Sequence, residues 1–152
     1  MIGVREVGQL LCQLPQTNIL FDLTLDGNNF TGDGIYVLAG FMHLCPSLSW
    51  LSCINCGITS EDLLLLFEVV FGEDSPDNRC PCRELAGWRL DHNRIDDRGF
   101  SALMERLPSQ FPKLGYGRFF NKIFVFDGNP VSPELARVMN DEMERRYQVR
   151  LY

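Results

Sequence analysis

Cys53-Ile54-Asn55-Cys56, followed by Cys80-Pro81-Cys82, sets four thiols at short spacings in a 152-residue chain with only two histidines, His43 and His92. Paired thiolates at such spacings suit a tetrahedral zinc ion, and a close pair also suits a redox couple. A Cys-x-Cys disulfide is strained, however, and nothing in the spacing places His43 and His92 with that thiol pair to complete a ligand set. Cys80 and Cys82 stand as weak metal candidates, and neither a metal nor a cofactor is expected. The sequence has no phosphate-cradling glycine loop ending in Lys-Ser/Thr, no His-Glu-x-x-His and no Gly-x-Ser-x-Gly. With His43 read as a helix-face residue and His92 in a strand-end turn, a Ser or Cys nucleophile has little choice of base. These residues point away from an enzyme.

The spacing around Cys53 and Cys56 offers them another role. Leu20, Leu23, Leu25, Asn28 and Phe30 recur as Leu48, Leu51, Cys53, Cys56 and Ile58, then as Leu85, Trp88, Leu90, Asn93 and Ile95, then as Phe124, Phe126, Asn129 and Val131. Asn28, Cys56, Asn93 and Asn129 are separated by 28, 37 and 36 residues. Units of this kind usually run to about 20–29 residues, so two of them carry insertions. Within each unit the apolar run has period two, which predicts a short parallel strand with its leucines turned inward. Cys53 takes a buried leucine site and Cys56 the Asn site, so both thiols belong to the core.

Ten residues beyond each Asn or Cys a helical pair begins: Leu38 and Met42, Leu66 and Val70, Leu103 and Leu107, Met139 and Met143. Thr59, Asp96 or Asp97, and Ser132 stand where helix N-caps are wanted, and Pro133 sits at a first-turn position. Cys45-Pro46 and Leu107-Pro108 are expected to close helices. Leu10, Leu14 and Leu20 repeat the spacing of Leu38, Met42 and Leu48, which predicts a partial unit at residues 4–18. The helix over 132–147, with Glu142, Glu144, Arg145 and Arg146, is expected to cap the stack. Residues 1–152 then form one domain of about four units.

Composition narrows the partners. The formal net charge of −6 argues against nucleic acid, which requires clustered Lys and Arg, and favours a protein with a basic patch. The longest apolar runs, such as 63–67, are far short of the roughly 20 residues that span a bilayer. The start lacks a long apolar stretch with a cleavage site, so a cytoplasmic chain with reduced thiols is expected, and Asn29-Phe30-Thr31 is not read as glycosylated.

With Leu-x-x-Leu-x-Leu-x-x-Asn/Cys-x-Ile followed by an amphipathic helix, the chain resembles the leucine-rich repeats of the ribonuclease-inhibitor type over roughly residues 10–147. Gly34 and Gly99 match a glycine common early in the helix of that family, whereas Asp62 and Leu135 depart from it. Asn121 stands where the fourth unit's first Leu is expected, and Leu114 is an alternative across a loop. The resemblance implies an α/β solenoid, a short horseshoe arc with parallel strands on the concave face and helices on the convex face. It also implies protein recognition, as in ribonuclease inhibitor, tropomodulin-like cappers and innate-immune sensor segments.

Three rows of strand residues are expected to face the partner: Asp22, Trp50, Gly87, Ile123; Thr24, Ser52, Arg89, Val125; Asp26, Ile54, Asp91, Asp127, with Asn55 and His92 extending the last. Trp50 and Arg89 have the composition of an interaction hot spot, although Trp50 packed into a neighbouring unit is the competing reading. Asp26, Asp91 and Asp127 form an acidic row able to receive Lys or Arg, or else a solvated rim. Of the insertions, 72–82 is polar and turn-rich. The other, 115–122, carries Tyr116, Phe119 and Phe120, either as a docking loop for a structural or cytoskeletal assembly or as cover for the core.

Overall fold

The structure, a computed structural model, describes residues 20–71, 85–110, 123–147 and 150–151. In chain order the elements are β1 (Asp22–Thr24), α1 (Gly34–Leu44), β2 (Trp50–Ser52), α2 (Ser60–Phe71), β3 (Gly87–Arg89), α3 (Asp97–Gln110), β4 (Ile123–Val125), α4 (Pro133–Tyr147) and β5 (Arg150–Leu151). The strands form one open parallel sheet in the order β1-β2-β3-β4-β5, so sheet order follows chain order. The result is a mixed α/β fold. The partial unit expected at 4–18 and both insertions lie outside the described residues.

Period-two alternation sets the sheet's two sides. Leu23, Leu51 and Trp88 are paired at the middle of their strands, and Leu25, Cys53, Leu90 and Phe126 form the next buried row. The backbone ladder continues through that row, where Leu25 N–H donates to Ser52 O, Cys53 N–H to Arg89 O and Leu90 N–H to Val125 O. Leu38, Met42, Leu63, Leu66, Phe67, Phe100, Leu103 and Met143 from the helices join the same cluster. Burying each large apolar side chain contributes about 1.5–3 kcal/mol. This shared interior, rather than the three-residue strands themselves, holds the sheet together.

The expected caps begin the helices. Thr59 and Asp62 make a reciprocal box: the Asp62 carboxylate accepts from Thr59 N–H and Oγ1, and Asp62 N–H donates back to Thr59 Oγ1. Asp96 accepts from Gly99 N–H in the first turn of α3. Gly99 serves a second purpose, because a Cβ there would lie 2.2 Å from Ser60 Oγ, and its absence lets the starts of α2 and α3 touch.

Two expectations are corrected. Leu107-Pro108 does not close a helix: α3 runs on to Gln110. A proline in the last turn removes a single intrahelical bond, which a frayed end tolerates. Nor is the helix over 132–147 the last element, because β5 follows it and pairs with β4 through Ile123–Arg150 and Phe124–Leu151. Two residues carry no readable periodicity.

Candidate functional site

The side of the sheet opposite the helices carries the rows Asp22, Trp50, Gly87, Ile123 and Thr24, Ser52, Arg89, Val125, in the register expected from the repeat. The third row is aligned by backbone bonds, since Gly27 N–H donates to Ile54 O, Asn55 N–H to Asp91 O and His92 N–H to Asp127 O. Strand pairing in a fixed frame brings Trp50 and Arg89 onto adjacent strands and adjacent rows.

Trp50 is half-buried. Its ring lies on Gly87 of the next strand, where an added Cβ would stand 2.0 Å from Trp50 Cε3 and 2.1 Å from Cζ3. Only a residue without a side chain can sit beneath it. The indole is thereby packed over the next strand and stays partly exposed. An aromatic opposite a strand glycine is the signal that makes this pair findable from sequence once the register is known.

The acidic row is not uniform. Asp91 is 5 % exposed and its carboxylate receives Arg89 Nε at 3.3 Å, while the Arg89 side chain remains 42 % exposed. Asp91 therefore orients Arg89 instead of standing open for an incoming base. Asp26 Oδ1 accepts from Ser52 Oγ at 2.7 Å and from Ile54 N–H at 2.8 Å, which ties two strands together and explains why Ser52 is buried on a face expected to be solvated. Asp127 is exposed and accepts from the amide of Gly128. Of the three carboxylates, Asp127 is the one with neither a neighbouring strand nor a basic side chain bonded to it among the described residues.

At the turn beyond these rows, Asn55 and His92 adopt left-handed backbone, φ 54° and 55°. His92 is exposed, and its ring lies over Gly128 in the next unit. Ile54 is half-buried.

Behind the face runs a hydrogen-bonded ladder. Asn93 Nδ2 donates to Cys53 O, Leu90 O and Asp91 O, and its Oδ1 accepts from the amides of Cys56 and Ile58. Asn129 repeats this one unit on, bonding Leu90 O, Phe126 O and the amide of Ile95. Cys56 occupies the same rung with a thiol, and its Sγ donates to Leu25 O, the carbonyl equivalent to Cys53 O and Leu90 O. Cys53 and Cys56 are thus core residues as expected, and the hydrogen bond with Cys56 and then complete burial hold the Cys53 thiol well above its ordinary range. Among the described residues no group of His, Cys, Asp and Glu could hold a metal ion. Cys80, Cys82, Tyr116, Phe119 and Phe120 lie outside the described residues.

A second polar rung escaped the sequence reading. Ser60 Oγ donates to Asp96 Oδ1 at 2.6 Å and accepts from Asp96 N–H, and Ser132 N–H donates to Asp97 Oδ1. These bonds join residues 35 and 36 apart in sequence, and the repeat spacing of 37 and 36 was the available clue. No helix among the described residues is long and apolar enough to cross a membrane.

Neither a protein-family profile nor a curated protein sequence matches the chain. Its fold is similar to that of several solved structures, among them the following two. One is leiomodin-1 actin-binding site 2, at 7% identity and a TM-score of 0.62, covering 98% of this chain and 76% of that one. The other is the C-terminal domain of tropomodulin from Caenorhabditis elegans, at 11% identity and a TM-score of 0.65, covering 99% of this chain and 83% of that one. The likeness is one of fold, α/β and leucine-rich-repeat-like.

Proposed function

We propose that this chain is a non-enzymatic protein-binding module, a short leucine-rich-repeat solenoid of the ribonuclease-inhibitor kind working in the cytoplasm, and that it meets a partner with a basic patch through its exposed strand face. The observation that carries the reading is the Trp50 indole held on Gly87 beside an Arg89 side chain oriented by Asp91. A rigid aromatic anchor with a fixed cation loses little entropy on contact, and such residues dominate binding energy where they are desolvated. Asp26, Ile54, Asp127 and His92 frame that anchor, with Tyr116, Phe119 and Phe120 as further contact candidates. The test is capture of partners from native extract on the immobilised chain: Trp50→Ala is expected to lose the captured protein while keeping the thermal midpoint, and undiminished capture would overturn the reading.

The likeness to an actin-binding site of leiomodin-1 supports a second reading, a cytoskeletal assembly component docked through the 115–122 loop, with actin as the first partner to try. Co-sedimentation with filamentous actin separates the two. Binding that survives Trp50→Ala but not the double change Phe119→Ala with Phe120→Ala would favour the second reading.

A further inference from the structure

Between α3, the fourth turn and the start of α4 lies a cavity of about 270 Å³. Phe100, Phe126, Val131 and Ala136 form its apolar walls, and Asp127 and Asn129 are its polar lining. The two phenyl rings meet edge to face at 5.3 Å, so the wall is a fixed aromatic corner. Asn129 offers a ligand little, because its amide already serves Leu90 O, Phe126 O and the amide of Ile95. Asp127 differs. Its Oδ1 takes the Gly128 amide, and no basic side chain pairs with it among the described residues.

Size and charge together select the occupant. Sites for cofactors and drug-sized molecules run to about 300–1,000 Å³, so this space suits a single side chain. Apolar walls with one carboxylate match an aliphatic stem ending in a cation, and aromatic rings add attraction for the cationic head. The net charge of −6 draws basic surfaces toward the chain. We infer that this cavity receives a lysine or arginine side chain of the partner protein, with Asp127 as its counter-ion and Phe100, Phe126 and Val131 against its stem. This rests on the reading of the chain as a binder of a basic protein and names a second contact for that partner, on the turn side of the strand face.

The experiment titrates the full-length chain with blocked tripeptides, acetyl-Gly-X-Gly-amide, where X is Arg, Lys, norleucine or Glu, and follows backbone amide resonances. Arg or Lys peptides are expected to shift the amides of Gly128, Asn129, Val131 and Ala136, with norleucine and Glu peptides at least ten-fold weaker. Asp127→Asn, a change at an exposed side chain, is expected to weaken the basic peptides ten-fold or more. Ala136→Leu, which fills the space and keeps the carboxylate, is expected to do the same. Equal binding of norleucine, retained binding in Asp127→Asn, or shifts located elsewhere would each overturn the inference. Agmatine binding ten-fold more tightly than the Arg peptide would assign the cavity to a free small amine and overturn it too. The probes do not touch Trp50, so failure here leaves the strand-face reading standing, and failure of Trp50-dependent capture leaves the tripeptide result intact.

Discussion

At the third turn, Asn93 is 6 % exposed and its amide makes five hydrogen bonds, reaching two neighbouring repeats' backbone at once. On the strand face, Trp50 rests half-buried on Gly87, and Arg89 bonds to Asp91 with 42 % of its side chain exposed. In the first region every polar group is satisfied from within, so any change there is felt as stability. In the second the contacts orient side chains without consuming them, so on the reading proposed above changes there act on binding more than on stability. On that reading, holding shape and offering contact fall to different rows of the same repeat.

The hardest test of that division is Asn93→Ala. It strips two buried amides and several carbonyls of their partners at about 1–3 kcal/mol for each orphaned group, with some relief from relaxation. A loss of about 3–5 kcal/mol is expected from the denaturant midpoint at unchanged slope. Next comes Gly87→Ala, whose new methyl occupies the place of the Trp50 ring; a cost of about 1–3 kcal/mol is expected, with Trp50 swung outward. Acrylamide quenching of fluorescence reads that movement, since Trp88 is fully buried and contributes a shielded background. Cys56→Ala is milder, about 1 kcal/mol by chemical denaturation, because the bonds lost, among them those to Leu25 O and Ile54 O, are weak thiol contacts where Asn93 would lose five amide bonds.

The smallest effect concerns pH. The Ser60 hydroxyl first, and the Gly99 amide second, hold the Asp96 carboxyl below its ordinary value. A depressed folded pKa means that the charged form is favoured in the native state, so its contribution is present above the unfolded value of about 4 and disappears as pH falls through the folded value. Thermal midpoints measured downward from pH 4 are therefore expected to fall more steeply for the native chain than for Asp96→Asn. Equal slopes would mean that this rung adds nothing to the ladder's account of stability.

Much of this was legible in advance because the strand register follows from equivalence of apolar positions. Once Leu23, Leu51, Trp88 and Phe124 are aligned, the placement of Trp50 beside Gly87 is forced. Cys56 was readable as a core residue because it replaced Asn at a fixed step. The bonds of Asp26 to Ser52 and of Ser60 to Asp96 were not readable, since short polar side chains carry no periodicity and their partners are chosen by distances of a few tenths of an ångström. Asp91 illustrates the same limit: a strand aspartate looks like surface until an arginine two residues away folds back on it. Pro108 was misjudged through a rule about helix interiors applied to a final turn, and Arg150–Leu151 is too short to announce itself.

The order β1-β2-β3-β4-β5 has a bearing on how such a chain comes into being. Among the described residues no strand is inserted between two laid down earlier, so a ribosome delivers each of these segments to the growing edge just when that edge is ready for it. Assembly can keep pace with synthesis, without a search for distant mates and without a late step on which everything waits.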